Sequence, residues 1–126
     1  MDIERFTALK RRSDMVRYDN HLYIGGQVAT DLRGDIEEQT REVLAGIEQL
    51  LLSAGSSRKQ VLSVRILLAH REDYAGLNKV WDAFFPEGHA PTRACTLADL
   101  IDPGWRVEMI VVAACGGGTS GDPTAT

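Results

Sequence analysis

The chain has few of the residues that build disulfide-linked or metal-binding proteins. It contains two cysteines, Cys95 and Cys115, and three histidines in 126 residues. Two cysteines this far apart give neither a disulfide framework nor the ligand spacing of a zinc site, and the scattered histidines add no further ligand set. We therefore expect reduced thiols and no bound metal.

An excess of positive charge is also absent. The net charge is -4 and the isoelectric point is near 5.3. Binding to phosphate backbones or anionic membranes depends on clustered lysine and arginine, so this balance argues against nucleic-acid and membrane partners. No apolar run is long enough to cross a bilayer, and the charged N-terminal segment does not resemble a signal peptide. These absences predict a cytoplasmic protein.

What is present suits one globular domain. Hydrophobic residues make up 44% of the chain and charged residues 25%, which is ordinary for a single soluble domain with a core. We predict a loose lead-in over residues 1–14, forming at most a short helical turn, and a folded domain over residues 15–115. Residues 116–126 are rich in glycine, serine, threonine and proline, and we expect them to form a disordered tail.

The first half of the domain shows a hairpin and then a helix. Short apolar runs at Met15–Tyr18 and Leu22–Gln27, separated by Asp19-Asn20-His21, indicate a β-hairpin. Apolar residues then recur at helical spacing for about five turns. Asp35 can cap this helix, and Gly55 is a fitting C-terminal stop.

A strand and a second helix follow. In the run Val61–Leu68, alternation predicts a buried face made of Leu62, Val64, Ile66 and Leu68. From Glu72 to Phe85 the pattern is again helical, and Pro86 ends it. Two helices packed on one face of a mainly antiparallel or mixed sheet is the economical arrangement, so the predicted fold class is α+β.

Two ionisable side chains interrupt the apolar strands near the C-terminus. Arg93 begins the run R-A-C-T-L, and Glu108 is the only polar residue of Val107–Ala114. Because Asp102-Pro103-Gly104 between them predicts a tight turn, we expect a β-hairpin that brings the arginine and the carboxylate together. A buried carboxylate needs a donor, a cation or a solvent-filled cleft. The pair is therefore either a functional site or a structural ion pair.

Three further residues are candidate contacts within such a site. Gly25 and Gly26 end the second strand and leave room for the close approach of a ligand or another backbone, although a bulge or strand end explains them equally well. Asn78 lies near the apolar stripe of the second helix. Its amide can contact substrate, or it can serve as a surface residue or a partner for backbone groups.

Five segments, taken in order, resemble the RidA family, also known as YjgF or by the older label endoribonuclease L-PSP. The resemblance covers roughly residues 15–114. The segments are I-G-G-Q-V at Ile24–Val28, Q-T-R-x-V-L at Gln39–Leu44, L-N-K-V-W-D-A-F-F-P at Leu77–Pro86, A-P-T-R-A-C at Ala90–Cys95 and R-V-E-M at Arg106–Met109. Singly each segment is a weak signal, but their common order is specific.

The resemblance implies a chorismate-mutase-like fold, a homotrimer around a central barrel, and clefts between neighbouring subunits. It also implies cofactor-independent hydrolysis of enamines and imines to 2-oxo acids, as by a 2-iminobutanoate/2-iminopropanoate deaminase. By the same resemblance Arg93 binds the substrate carboxylate, Glu108 positions the attacking water, and Cys95 matches a family cysteine of the pocket. No histidine is placed to deprotonate Cys95, so we expect an unactivated thiol.

The chain departs from the family pattern at several positions. Many deaminases of the family have serine where this chain has Gly25, and a tyrosine in the N-terminal segment, for which this chain offers Arg12, Ser13 or no equivalent. Thr92 replaces the more usual alanine before the arginine. An altered pocket follows, and with it an alternative function as a non-catalytic trimer that binds a small carboxylate. The family's ribonuclease label is the least favoured, given the acidic balance and the missing histidine pair.

Overall fold

The structure, a computed structural model, describes residues 2–116, so the predicted tail lies outside the described residues apart from Gly116. The chain forms six strands and two α-helices, with short 3-10 turns at Arg58–Gln60 and Arg71–Asp73. In chain order these elements are β1 Ile3–Ala8, β2 Ser13–Tyr18, β3 His21–Gln27, α1 Ile36–Ser53, β4 Val61–Leu68, α2 Tyr74–Phe84, β5 Thr92–Leu97 and β6 Val107–Ala114.

All six strands belong to one sheet with the order β1-β2-β3-β6-β4-β5. Neighbouring strands are antiparallel except β4 and β5, which are parallel and are joined through α2. Both helices pack on the same face of the sheet, which confirms the predicted α+β class. Neither helix in residues 2–116 is both long and apolar enough to cross a membrane.

The core lies between the helices and one face of the sheet. Strand β6 shows this most clearly, since Val107, Met109, Val111 and Ala113 are each at most 1% exposed. The side chains between them are half-buried on the other face, which no element of residues 2–116 covers. The sheet therefore has a helix-covered face and an open face.

Local signals in the sequence correctly place α1 and the first turn. Asp35 accepts a hydrogen bond from the Glu38 backbone N–H at 2.9 Å, and the Glu38 side chain accepts one from the Asp35 backbone at 2.9 Å. This capping box satisfies two N–H groups at the helix start. Gly55 has φ +75°, and the turn residue Asp19 has φ 58°. Both conformations suit the residue types that the sequence supplies there.

The predicted loose lead-in is wrong for residues 3–8. They form β1, which pairs antiparallel with β2 at the edge of the sheet. Its side chains are mostly exposed, so no apolar alternation marks the strand in the sequence. Long-range contacts hold it instead. The Arg17 side chain bonds Glu4 at 2.9 Å and lies over the Phe6 ring at 5.5 Å.

The predicted buried face of β4 is wrong at Leu62, which is 45% exposed. The pairing of β4 with β6 shifts register between Val61 and Ser63. Such a bulge adds one residue to one strand and reverses the alternation of faces on its N-terminal side. Val61 consequently enters the core in place of Leu62.

The predicted β5–β6 hairpin is also wrong. The turn itself is present, since the Trp105 N–H bonds the Asp102 carbonyl at 3.0 Å, but the two strands do not pair with each other. Strand β4 lies between them, parallel to β5 and antiparallel to β6. Segment 98–106 therefore carries the chain past β4. A hairpin could not be distinguished from this crossover by the turn residues alone.

Candidate functional site

Arg93 lies on the helix-covered face, where α2 holds it in place. Its Nη2 donates to the Asn78 Oδ1 at 2.7 Å and to the Tyr74 hydroxyl at 3.1 Å. The guanidinium carbon is 4.9 Å from the centre of the Trp81 ring and 5.7 Å from that of Tyr74. Asn78 and the two aromatic rings thus fix both the plane and the position of the guanidinium.

Part of the Arg93 fork is left for a ligand. Within residues 2–116, both hydrogen bonds of this guanidinium use Nη2, and neither Nε nor Nη1 bonds a protein group. The side chain is half-buried, so these donors are reachable but only partly hydrated. A planar fork with free donors suits a carboxylate. The Arg93 guanidinium is thus held in a fixed orientation with donors left free.

Glu108 lies on the open face of the sheet, on strand β6. It is half-buried, and in the described part of the chain it forms no ion pair and no side-chain hydrogen bond. Its carboxylate lies directly over Gly26, because a Cβ added to that glycine would be 2.0 Å from the Glu108 Oε2. Gly26 thus provides the space that the carboxylate occupies.

The structure does not bring Arg93 and Glu108 together within one chain. On β4, Arg93 pairs with Val64 and Glu108 pairs with Leu67, three residues further along. Three residues span about 10 Å, and an odd separation places side chains on opposite faces. The expected shared neighbourhood is therefore wrong for a single chain. Within one chain, a structural ion pair between them is excluded for the same reason.

Gly25 and Gly26 lie in a β-bulge. The pairing of β3 with β6 shifts register between Ile24 and Gln27, as the structural interpretation of the two glycines anticipated. The Gln27 side chain donates to the Gly25 carbonyl at 3.1 Å. Only Gly26 is also approached closely by another side chain, that of Glu108. Of the two glycines, Gly26 is thus the one in contact with a candidate site residue.

Cys95 is next to Arg93 on the same face of β5 and lines a small cleft. The cleft measures about 290 Å³ and lies between the beginning of α2 and the end of β5. Burial raises the pKa of the Cys95 thiol, and the nearby charge of Arg93 lowers it by less. The thiol therefore stays protonated at neutral pH, which fits a wall of the cleft and not a nucleophile.

Tyr74 is a further contact of Arg93 that the sequence analysis does not single out. The helical pattern places it in the apolar stripe of α2, but it is 47% exposed and its hydroxyl binds Arg93. Tyr74, Asn78 and Trp81 stand at helical positions i, i+4 and i+7, so they share one side of α2. That spacing, opposite a lone arginine on a strand, is the signal that could have found the cluster.

The family model described as endoribonuclease L-PSP matches residues 2–115 of this chain. The protein belongs to this family. The earlier resemblance, which gave the same label, is confirmed. An Escherichia coli relative, the RutC family protein YoaB, is 42% identical over 114 residues, covering 90% of this chain and 99% of the relative. A 3-aminoacrylate deaminase, RutC of Acinetobacter baylyi, is 36% identical and covers 75% of this chain and 79% of its own.

Solved structures of the endoribonuclease L-PSP family agree with this fold. An uncharacterised protein from Pseudomonas aeruginosa is 69% identical, with a TM-score of 0.89 over 91% of this chain and 100% of its own. A YjgF family member from Neisseria meningitidis, NMB1025, is 38% identical, with a TM-score of 0.88 over 92% of this chain and 97% of its own. Both solved structures therefore share the overall fold of this chain.

Proposed function

We propose that this protein hydrolyses reactive imines and enamines to 2-oxo acids and ammonia, without a cofactor, in clefts between the subunits of a homotrimer. Membership of a family that includes a 3-aminoacrylate deaminase supports the general chemistry. The placement of Arg93 and Glu108 on opposite faces supports the shared cleft. This placement of the two residues is the observation that supports the proposal most strongly.

A site that uses both residues requires two chains. Arg93 is held on the helix-covered side near the β5 edge, while Glu108 projects from the open face. If the open face of one subunit packs near the β5 edge of the next, the two side chains can approach the same substrate. Closed rings of identical subunits use heterologous contacts of this kind. A cyclic trimer then contains three equivalent clefts.

The open face has the composition that such packing needs. Tyr23 and Leu62 are 46% and 45% exposed, and Ile110 and Val112 are half-buried between them. A contiguous patch of exposed apolar side chains is typical of a surface that another protein covers. Glu108 stands at its margin and would then be enclosed in the assembly.

The chemistry follows from the two residue types. The substrate carboxylate binds Arg93, which fixes C2 of the imine. Glu108 accepts a proton from water as the water oxygen bonds C2 and the C=N π electrons move to nitrogen. Glu108 then returns the proton to that nitrogen of the resulting carbinolamine. Glu108 then transfers the hydroxyl proton to the nitrogen, the C–N bond breaks as the C=O bond forms, and the products are a 2-oxo acid and ammonia.

Subunit complementation tests this arrangement directly. Arg93→Ala and Glu108→Gln subunits are each purified, shown to be inactive, and then mixed at equal amounts by unfolding and refolding together. In random mixed trimers a cleft has both native residues when the Arg93 donor comes from one variant and the Glu108 donor from the other. This occurs in about one quarter of clefts, so about one quarter of the native imine turnover should return.

The double variant Arg93→Ala/Glu108→Gln, refolded with native protein at the same ratio, calibrates the exchange of subunits. Because it supplies neither residue, only clefts between two native subunits are intact. These are about one quarter of all clefts in random trimers if the site is shared, and about one half if each site lies within one chain. Failure of the single variants to regain activity, with one half of native activity in this control and mixed trimers shown by native mass spectrometry, would show that both residues serve the same chain. A native protein without imine turnover would contradict deaminase activity itself.

A second function, a trimer that binds a small carboxylate without catalysis, is favoured by one observation. The position at which many family deaminases have serine is Gly25 here, so no hydroxyl is available from it. Arg93 still offers free donors to a carboxylate. Binding of 2-oxobutanoate with no acceleration of imine hydrolysis would favour this function over the deaminase.

A further inference from the structure

A second arginine, Arg71, lines the cleft beside Arg93. The cleft walls are formed by Leu68, Arg71, Tyr74, Cys95, Thr96 and Leu97. Two of these residues connect it to the Arg93 position, because Tyr74 bonds the Arg93 guanidinium and Cys95 is the next residue on the same strand face. A ligand held by Arg93 can therefore extend toward Arg71.

Arg71 has no charge partner in the part of the chain that the structure describes. It makes no ion pair or side-chain hydrogen bond within residues 2–116. The nearby carboxylate of Asp73 does not neutralise it, because Asp73 is buried and bonded to Arg106 at 2.8 Å. No carboxylate lines the cleft itself. The cleft is thus cationic in a chain whose net charge is -4.

The remaining walls suit a small polar ligand. Tyr74 and Thr96 can donate hydroxyl hydrogen bonds, while Leu68, Leu97 and Cys95 supply apolar or weakly polar surface. The volume of about 290 Å³ is at the lower limit for ligand sites, which are usually about 300–1,000 Å³. A metabolite of four or five carbons fits that size better than a larger substrate.

We infer that Arg71 selects substrates carrying a second carboxylate, so that the preferred imines derive from acidic amino acids. Arg93 binds the carboxylate next to the imine carbon, and Arg71 binds the distal one. This assignment rests on the proposed deaminase function and adds its substrate class. A monocarboxylate imine places an apolar end beside an unpaired guanidinium, whereas a dicarboxylate provides a charge-assisted contact there.

Two imines of equal carbon number make the test. Iminosuccinate and 2-iminobutanoate, generated in place by amino-acid oxidases, differ in having a carboxylate or a methyl at the distal carbon. Native protein should have a kcat/KM at least about tenfold higher for iminosuccinate, as expected for one charge-assisted contact. In Arg71→Met that preference should disappear, with 2-iminobutanoate turnover changed by less than about twofold.

Two further variants control for charge and for mutation elsewhere. Arg71→Lys keeps the charge without the fork, so its preference should be intermediate. Arg41→Met removes an exposed arginine of α1 whose one ion pair within residues 2–116 is with Glu37 at 3.7 Å, and should leave both turnover values unchanged. Equal loss for both imines in Arg71→Met, or no native preference, would overturn the role of Arg71 while leaving the deaminase intact.

Binding measurements test the role of Arg71 even if neither imine is hydrolysed. Succinate and butanoate are stable probes with the same carbon number, and calorimetric titration of the native trimer measures both. Tighter binding of succinate by about tenfold, lost in Arg71→Met, supports the dicarboxylate site without any turnover. Equal affinities refute it. Absence of turnover with this selectivity intact would contradict only the proposed deaminase function.

Discussion

The two faces of the sheet differ in what surrounds their polar residues. On the helix-covered face, Arg93 is fixed by a hydrogen bond of 2.7 Å to Asn78 and by the ring of Trp81. On the open face, Glu108 has only Gly26 beneath it and no bonding partner within residues 2–116. The first side chain is held in position before any ligand arrives. Glu108 has no such partner. This is costly for a half-buried carboxylate unless water or a neighbouring subunit completes its surroundings.

In the proposed mechanism, this difference favours separate tasks for the two residues. A preformed, partly occupied guanidinium fork favours binding, because little side-chain entropy is lost when the anion arrives. An unpartnered carboxylate favours proton transfer, because no protein donor competes for its oxygens. Substitutions at both residues test this separation of binding from proton transfer.

Glu108→Gln should lower imine turnover by about a hundredfold or more, since the amide keeps the shape but cannot accept a proton from water. The melting temperature should change little, because no Glu108 ion pair is lost within the described chain. Carboxylate binding should also persist. Turnover, thermal unfolding and titration with 2-oxobutanoate measure the three quantities. Undiminished turnover in a stable variant would remove Glu108 from the mechanism.

Arg93→Lys should act through binding. Lysine keeps the positive charge but loses the planar fork and its stacking on Trp81, so kcat/KM should fall by about tenfold to a hundredfold. Affinity for 2-oxobutanoate should fall by a similar factor, unlike in Glu108→Gln. The matched change Arg41→Lys, on the exposed side of α1, should alter neither. A variant with normal affinity and low turnover would reverse the tasks assigned to the two residues.

The sequence predicted each element that local chemistry defines. The Asp35 cap, the Gly55 stop and the Asp19 turn all depend on residues close together in the chain, and all are confirmed. Pairing between distant strands leaves no comparable local trace. The turn beginning at Asp102 looks the same whether the chain returns beside β5 or passes β4 to reach β3. Only the complete sheet order distinguishes the two.

The predicted site was wrong because this crossover was not predicted. The sequence correctly shows Arg93 and Glu108 as polar interruptions of apolar strands. The predicted hairpin, however, placed the two side chains close together within one chain. In the structure β4 lies between their strands, and the three-residue offset from Val64 to Leu67 puts them on opposite faces. The roles of the two residues therefore remain proposals that depend on assembly.

Adjacent valines on β6 provide a matched comparison of the two faces. Val111 is 1% exposed against the helices, whereas Val112 is half-buried on the open face. Val111→Ala should reduce the free energy of unfolding by about 2 kcal/mol, because it removes buried methyl groups and leaves a cavity. Val112→Ala should instead weaken assembly, so that trimer dissociates at higher protein concentration.

Chemical denaturation and sedimentation equilibrium measure the two effects separately. Native protein that is a folded monomer at micromolar concentration would remove the shared cleft, and Val112→Ala would then have little effect on either measurement. If both variants lost only monomer stability, the open face would be part of the subunit's own core. The comparison between the faces would then fail.

The smallest expected effect concerns the two glycines of the bulge. A Cβ at Gly26 would be 2.0 Å from the Glu108 Oε2, whereas a Cβ at Gly25 would be 3.6 Å from its nearest neighbour, the Ser13 carbonyl oxygen. The carboxylate is the flexible end of a side chain, so it can move aside in Gly26→Ala at little cost in stability. Neither glycine has a positive φ that alanine would resist.

Gly26→Ala should therefore keep its melting temperature but lose about tenfold in turnover, because a displaced carboxylate no longer meets the water in line. Gly25→Ala makes the same chemical change one residue away, without contact to Glu108. Its loss of imine turnover should be about tenfold smaller. Imine turnover and thermal unfolding of both variants measure this difference. Equal deficits would mean that the bulge as a whole shapes the cleft, and that the position of Glu108 over Gly26 has no special part in catalysis.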